Sequence, residues 1–160
     1  MNTSMLIRAS LNSVRKELAE VYPHLTEEML GWAPAEGMRT IHGQFVEILG
    51  TEADIVSRFQ HHTSKTSQEF DAPYWAIMSV EGIIEELNKV RATTLEVLEG
   101  FDESDLAAPI EISAGYAAYL ELESVPAGEL FRFLARHESY HSGQLFSYLW
   151  AYGDNPYKWN

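Results

Sequence analysis

The chain has 160 residues, 46% hydrophobic and 12% aromatic, the size and composition of one globular domain that buries about two-thirds of its unfolded surface without a disulfide or a structural metal. Its 24 acidic against 11 basic residues give a formal charge of -13, which repels phosphate backbones and anionic lipid surfaces and excludes nucleic acid as an expected partner. There is no cysteine, so disulfides, thiolate metal ligands and a cysteine nucleophile are all ruled out, and any metal has to be held by His and carboxylate.

The N-terminal stretch MNTSMLIRASLNSVRKEL lacks the uninterrupted apolar core of a signal peptide, and nowhere do about 18 apolar residues follow one another. A cytoplasmic protein without a membrane partner is expected, with residues 1–160 forming one domain. From Thr3 to about Val21 the residues Leu6, Leu11, Val14, Leu18 and Val21 recur at helical steps and predict an amphipathic helix ended near Pro23. Thr26 to Leu30 adds a turn capped by Thr26. The loop GWAPAEGM then interrupts the pattern at Pro34 and Gly37.

A second long helix is predicted from about Thr40 to His61. Ile41, Phe45, Ile48, Ile55 and Phe59 make its stripe, Val46, Leu49 and Val56 broaden it, and Glu52 falls inside it. The polar stretch HHTSKTSQEF follows, with His61 and His62 read as an exposed helix end. A third helix runs from about Ser79 to Leu98, carrying Ile83, Leu87, Val90, Thr94 and Val97/Leu98 and closed by Gly100. These lengths suit an antiparallel bundle.

Residues 101–125 are the least regular. Asp102, Ser104 and Asp105 have the chemistry of turns and caps, Pro109 and Gly115 oppose a long helix, and the alternation in PIEISAGYAAYLEL suits a short hairpin. The last helix is the clearest, opening at Ser124 with Pro126 in its first turn and closing at Gly153 before Pro156.

On that last helix Leu130, Leu134, His137, His141, Leu145, Tyr148 and Tyr152 share one face. Two His four apart lie roughly 40° apart around the axis and about 6 Å along it, so both imidazoles can reach one ion. A buried His is usually a core residue with ordinary partners. Two on one apolar face are harder to satisfy: each left unpaired costs roughly 1 to 3 kcal/mol, and a shared cation would satisfy both. A third ligand has to come from the second helix, where a helical wheel puts His42 and Glu52 within the stripe and Glu47 off its centre. Among the polar neighbours of the His pair, Glu138, Tyr140 and Tyr148 read as surface or packing. Gln144, on the same face, has the better claim to orienting a ligand, and Gly143 suits a close helix approach or a gap in the pattern. Trp75, Trp150, Trp159 and the eight Tyr are expected in the core or an interface rather than lining a pocket over the metal.

The segment HESYHSGQLFSYLWAYG from His137 to Gly153 resembles the HxxxHRGQ signature of the DinB/YfiT-like metal-binding proteins, with Ser142 where Arg is frequent. WAPAEGMRTI, Trp32 to Ile41, is similar to the lead-in to that family's second helix. The resemblance implies an all-α fold, an antiparallel four-helix bundle with an irregular segment between helices three and four. It also implies a divalent metal, Ni or Zn first with Mn or Fe acceptable, held by one residue of helix two and the two His of HxxxH. Matching TIHGQFVEILGTE to the family pattern puts Glu47 where that first His normally stands. Wheel and pattern thus disagree, and the pattern is given more weight because an ideal wheel drifts over four turns. The metal set expected is Glu47, His137 and His141, with His42 second and Glu52 third as helix-two ligand. Glu52 is better cast as an acceptor behind the ligands or a buried partner.

Two functions follow from the resemblance. One is a metal-dependent enzyme acting on a thiol or other small molecule, an S-transferase like relatives that use bacillithiol or mycothiol, or a hydrolase. The alternative is a non-catalytic stress-response or binding bundle with a vestigial metal site, forming a homodimer.

Overall fold

The protein is described here by a computed structural model that covers residues 2–61 and 65–159. The reading of His61 and His62 as an exposed helix end concerns His62 and the His61 side chain, which lie outside the described residues. The architecture is all-α apart from one pair of three-residue strands. Four long helices carry it: α1 (Thr3–Ala19), α3 (Ile41–His61), α5 (Val80–Glu99) and α8 (Ala127–Tyr152). Helix α1 packs on α8 and α5, and α3 on α5 and α8.

Local chemistry sets the ends. The Asn2 side chain accepts from the Met5 N–H and opens α1, and the Ser79 hydroxyl does the same for α5 through the Gly82 N–H. At the far end of α8, Gly153 turns into the left-handed region with φ 117°, its N–H donating to the carbonyls of Leu149 and Trp150. Helix α1 stops at Ala19, two residues earlier than expected, and Val21 is buried beyond it. Leu6, placed on the buried stripe by its spacing, is half exposed, and Ile7 takes the core position instead. Thr26 does precede α2 (Glu27–Leu30), but its side chain makes no capping bond.

Helix α3 departs most from its expected one-sided pattern. Nearly every residue from Ile41 to Gly50 is buried, Glu47 being the partial exception. The cause lies in the polar stretch that follows, which folds back as α4 (Ser67–Asp71) and a turn of 3-10 helix at Tyr74–Ala76 and covers the outer side of α3. A capping box between Thr66 and Glu69 starts α4. Gly50 lets it sit close, because a Cβ there would run into the Asp71 carboxylate.

The irregular region also differs from expectation. Asp102 and Asp105 form a reciprocal cap on α6 (Glu103–Ala107), in keeping with their turn-and-cap chemistry. The expected hairpin is instead two separated strands, β1 (Pro109–Glu111) and β2 (Ser124–Pro126), antiparallel with Ile110 opposite Val125. Between them runs α7 (Ala114–Leu120), capped by Ser113, with Gly115 inside the helix rather than ending it. Ser124 and Pro126 belong to the strand, so α8 begins at Ala127, whose N–H donates to the Ala108 carbonyl. The strand won because it ties both ends of the α7 excursion together.

The core forms two clusters. One gathers Leu18, Ile41–Leu49 positions, Ile83, Leu87 and Leu145–Leu149 positions; the other gathers Ile7, Leu11, Ile55, Leu98 and Leu130–Ala135 positions. Helices α1 and α8 meet the second cluster first and α3 and α5 the first, so α3 and α5, which touch, run the same way. Strict up-and-down alternation is therefore not followed; the long connection through α4 makes the parallel pair reachable. At the division between clusters stands a charged layer with one residue from each long helix. Arg15 and Arg91 pair with both Glu52 and Glu138, and the Thr94 hydroxyl donates to Glu52. Glu52, Arg91 and Glu138 are each at most 5% exposed.

Candidate metal centre

The HxxxH spacing does what helical geometry requires: His137 and His141 stand one turn apart on α8, their Nε2 atoms 3.1 Å from each other. That is close to the spacing of two ligands each about 2.0–2.1 Å from a common ion. Glu47, from α3, completes a cluster in which one ligand atom from each residue lies within 4.8 Å of the others. A carboxylate and two imidazoles make a donor set that accepts Zn, Ni, Mn or Fe, so the residues present fit a divalent ion.

The imidazoles are held neutral. Burial first, then the neighbouring His141 and the Arg39 and Arg136 guanidiniums, push His137 down to about 3. Burial and then Arg39 push His141 down to about 4. Both rings therefore carry a free lone pair at neutral pH, the form that binds metal. Gln44 decides which nitrogen offers it. Its Nε2 donates to the Tyr148 hydroxyl at 3.1 Å, which turns Oε1 toward His141 Nδ1 at 2.5 Å. The proton thus resides on Nδ1 and the lone pair on Nε2, facing His137 and Glu47. Glu47 in turn accepts from Arg39 Nη2 at 2.5 Å through Oε1, which fixes the carboxylate and leaves its second oxygen available.

The other helix-two candidates are engaged elsewhere. His42 is buried, but it faces the outer cover, with Nε2 3.2 Å from the Tyr74 carbonyl and its ring edge-on to Trp75. Glu52 lies in the charged layer with its oxygens on Arg15, Arg91 and Thr94, the buried partner rather than a member of the cluster. The wheel placed the three by burial as found, His42 and Glu52 inside and Glu47 off centre, but it could not show that α3 is covered on two sides and that His42 faces the outer one.

Among the polar neighbours, Glu138 is not surface: it is 1% exposed and pairs with both arginines of the layer. Gln144 donates to the Tyr140 hydroxyl and acts on His141 through its side chain, and Gln44 adds the bond to His141 Nδ1. Gly143 has open space where a Cβ would stand and marks no close approach. Trp75 and Trp150 are half exposed, while Tyr116, Tyr119 and Tyr140 line a cavity beside His137, against the expectation that the aromatics avoid such a pocket. Reasoning from sequence missed Gln44, Arg39 and Arg91. A signal existed for Gln44, an uncharged amide within the apolar run IHGQFVEIL three residues before the acid it works with.

No helix among the described residues is long and apolar enough to cross a membrane. Comparison with curated proteins and with solved structures finds no match. The family model of the DinB superfamily matches residues 10–145, a span that holds Gln44, Glu47, His137 and His141, and the chain belongs to the DinB superfamily.

Proposed function

We propose that this chain is a single-domain, four-helix-bundle metalloprotein of the DinB/YfiT-like type, with Glu47, His137 and His141 as ligands, and that it acts as a metal-dependent thiol S-transferase or hydrolase. One observation carries the reading: a carboxylate and two neutral imidazoles converge from two helices, with the lone pair of one imidazole aimed at the cluster by Gln44. Ni and Zn rank ahead of Mn and Fe for such a site by the usual order of affinity. A bound divalent ion supplies Lewis acidity toward a water or a thiol. His137 and His141 present neutral nitrogens, Glu47 contributes one negative charge, and Arg39 holds Glu47 in place. Elemental analysis of protein purified without a His tag, followed by Zn and Ni titration of wild type and His141→Ala, tests the assignment. Stoichiometric metal and at least a hundredfold loss in the variant are expected, and unchanged affinity refutes it.

A second reading, the non-catalytic bundle with a vestigial site, is favoured by one contact: Arg39 already neutralises Glu47 from within the chain. Its homodimer would use exposed aromatics such as Trp150 and Tyr157, which pack on each other at the surface. Protein free of metal after growth with Ni, Zn and Mn supports this reading, and sedimentation as a monomer removes the dimer. A cytoplasmic setting belongs to both proposals.

A further inference from the structure

Next to the cluster an open-sided cavity of about 680 Å³ lies between α3, α7 and α8, with His137 in its lining. That volume suits a small organic molecule. Its wall is aromatic on one side: Phe133 packs against Tyr116, ring centres 4.3 Å apart, and against His137 at 5.5 Å. The Arg136 guanidinium lies over the Phe133 ring, 5.4 Å from its centre.

Arg136 is unusual in this molecule. Arg8, Arg15, Arg39, Arg58, Arg91 and Arg132 each form an ion pair, but Arg136, among the described residues, has no carboxylate partner, although acidic residues outnumber basic ones 24 to 11. Across the cavity Arg58 faces Asp54 at 2.8 Å. Asp54 and Arg58 thus meet each other's charge. Two guanidiniums against one carboxylate leave this wall one positive charge in surplus, in a chain whose overall sign is the opposite.

We propose that this cavity binds a small monoanionic carboxylate with a flat apolar body, the carboxylate on Arg136 and the body against Phe133 and Tyr116. A guanidinium offers a planar fork that matches a carboxylate, and its stacking on Phe133 fixes the plane of that fork. A single negative charge matches the surplus. A phosphate dianion would bring a second charge toward Asp54 and Glu47 with no cation left to meet it. The proposal names the substrate class of the metal centre and rests on that reading only for what becomes of the ligand; the binding itself uses none of the three clustered residues as a charge partner.

The test is calorimetric titration of the full-length protein, stripped with EDTA, with 4-phenylbutyrate, its amide and phenyl phosphate. The carboxylate should bind at least tenfold more tightly than the amide and more tightly than the phosphate. Arg136→Met should erase the preference over the amide and Arg136→Lys keep part of it, while both variants still bind Zn, the Met variant no more weakly than wild type because a positive charge beside His137 is gone. Equal binding of acid and amide, tighter binding of the phosphate, no binding of any probe, or a preference that survives Arg136→Met overturns the proposal. The wild-type comparison decides by itself if the Met variant does not fold. Because the probes meet metal-free protein, a carboxylate preference in a chain that fails to take up Zn sinks the metal centre alone, and Zn uptake without the preference sinks the pocket alone.

Discussion

Gln44 and His141 are joined across 2.5 Å, the amide Oε1 accepting from Nδ1 while its Nε2 donates to the Tyr148 hydroxyl behind it. The bond reaches between two helices far apart in sequence and dictates on which nitrogen His141 carries its proton. Gln44→Leu should therefore weaken Zn and Ni affinity by about 10- to 100-fold with the helical circular dichroism unchanged. Wild-type affinity in that variant would show the tautomer to be set elsewhere.

Glu47→His should retain Zn binding, because an imidazole from the same turn of α3 can replace the carboxylate in the donor set. Glu47→Ala should lose it. The comparison is read by competition with a chromophoric chelator, and equal affinities in the two variants would exclude position 47 as a ligand.

Acid should destabilise the metal-free protein through the His pair. His137 at about 3 and His141 at about 4 lie below the ordinary His value of about 6.5, so their contribution is complete above pH 6.5. It is lost as pH falls toward 4 and then 3, because the unfolded chain takes up protons that the folded one refuses. Asp71 works in the opposite sense. Burial and then Glu47 push it up to about 6, so it protonates first in the folded state and favours folding on acidification below that value. With EDTA present, urea unfolding between pH 7 and 4 should show a net loss of stability, steeper in Asp71→Asn and shallower in His137→Ala. A shallower slope in Asp71→Asn would contradict the sign.

The charged layer should be intolerant of single neutralisation. Removing one partner of a buried pair leaves the other charge without compensation, at a cost of about 3–5 kcal/mol. Arg91→Met, which leaves the two buried carboxylates of Glu52 and Glu138 to share the single guanidinium of Arg15, should fall in that range by denaturant unfolding. Arg132→Met, at the exposed pair with Glu129, should change stability by less than about 1 kcal/mol.

Much of this was legible in the sequence, for reasons that can be named. Periodic apolar residues on strongly amphipathic helices located α1, α3, α5 and α8 to within a few residues, and HxxxH spacing guaranteed that His137 and His141 could meet. The partner from helix two was not legible in periodicity; the family pattern alone put Glu47 ahead of His42 and Glu52. His42, Glu47 and Glu52 differ only in which neighbour covers them, and the cover over His42 comes from residues 67–76, whose return across α3 leaves no trace in local periodicity. Arg91 and Glu138 were opaque for a related reason. A charge at a core position looks like an error in the pattern until the opposite charge is placed beside it, and each pair here joins different helices. The strands at Pro109 and Ser124 are three residues each, too short for alternation to announce them.

Those two strands have a consequence for how the molecule can vary. By pairing residue 109 with residue 126 they staple the exit and return of one excursion side by side, while Ile112, Tyr116, Ala117 and Leu120 seat its inner side on the second core cluster. The excursion supplies Tyr116 and Tyr119 to the cavity wall. Its outward residues are the ones that can be exchanged or extended, altering what the cavity admits while the four long helices and their buried charges remain as they are.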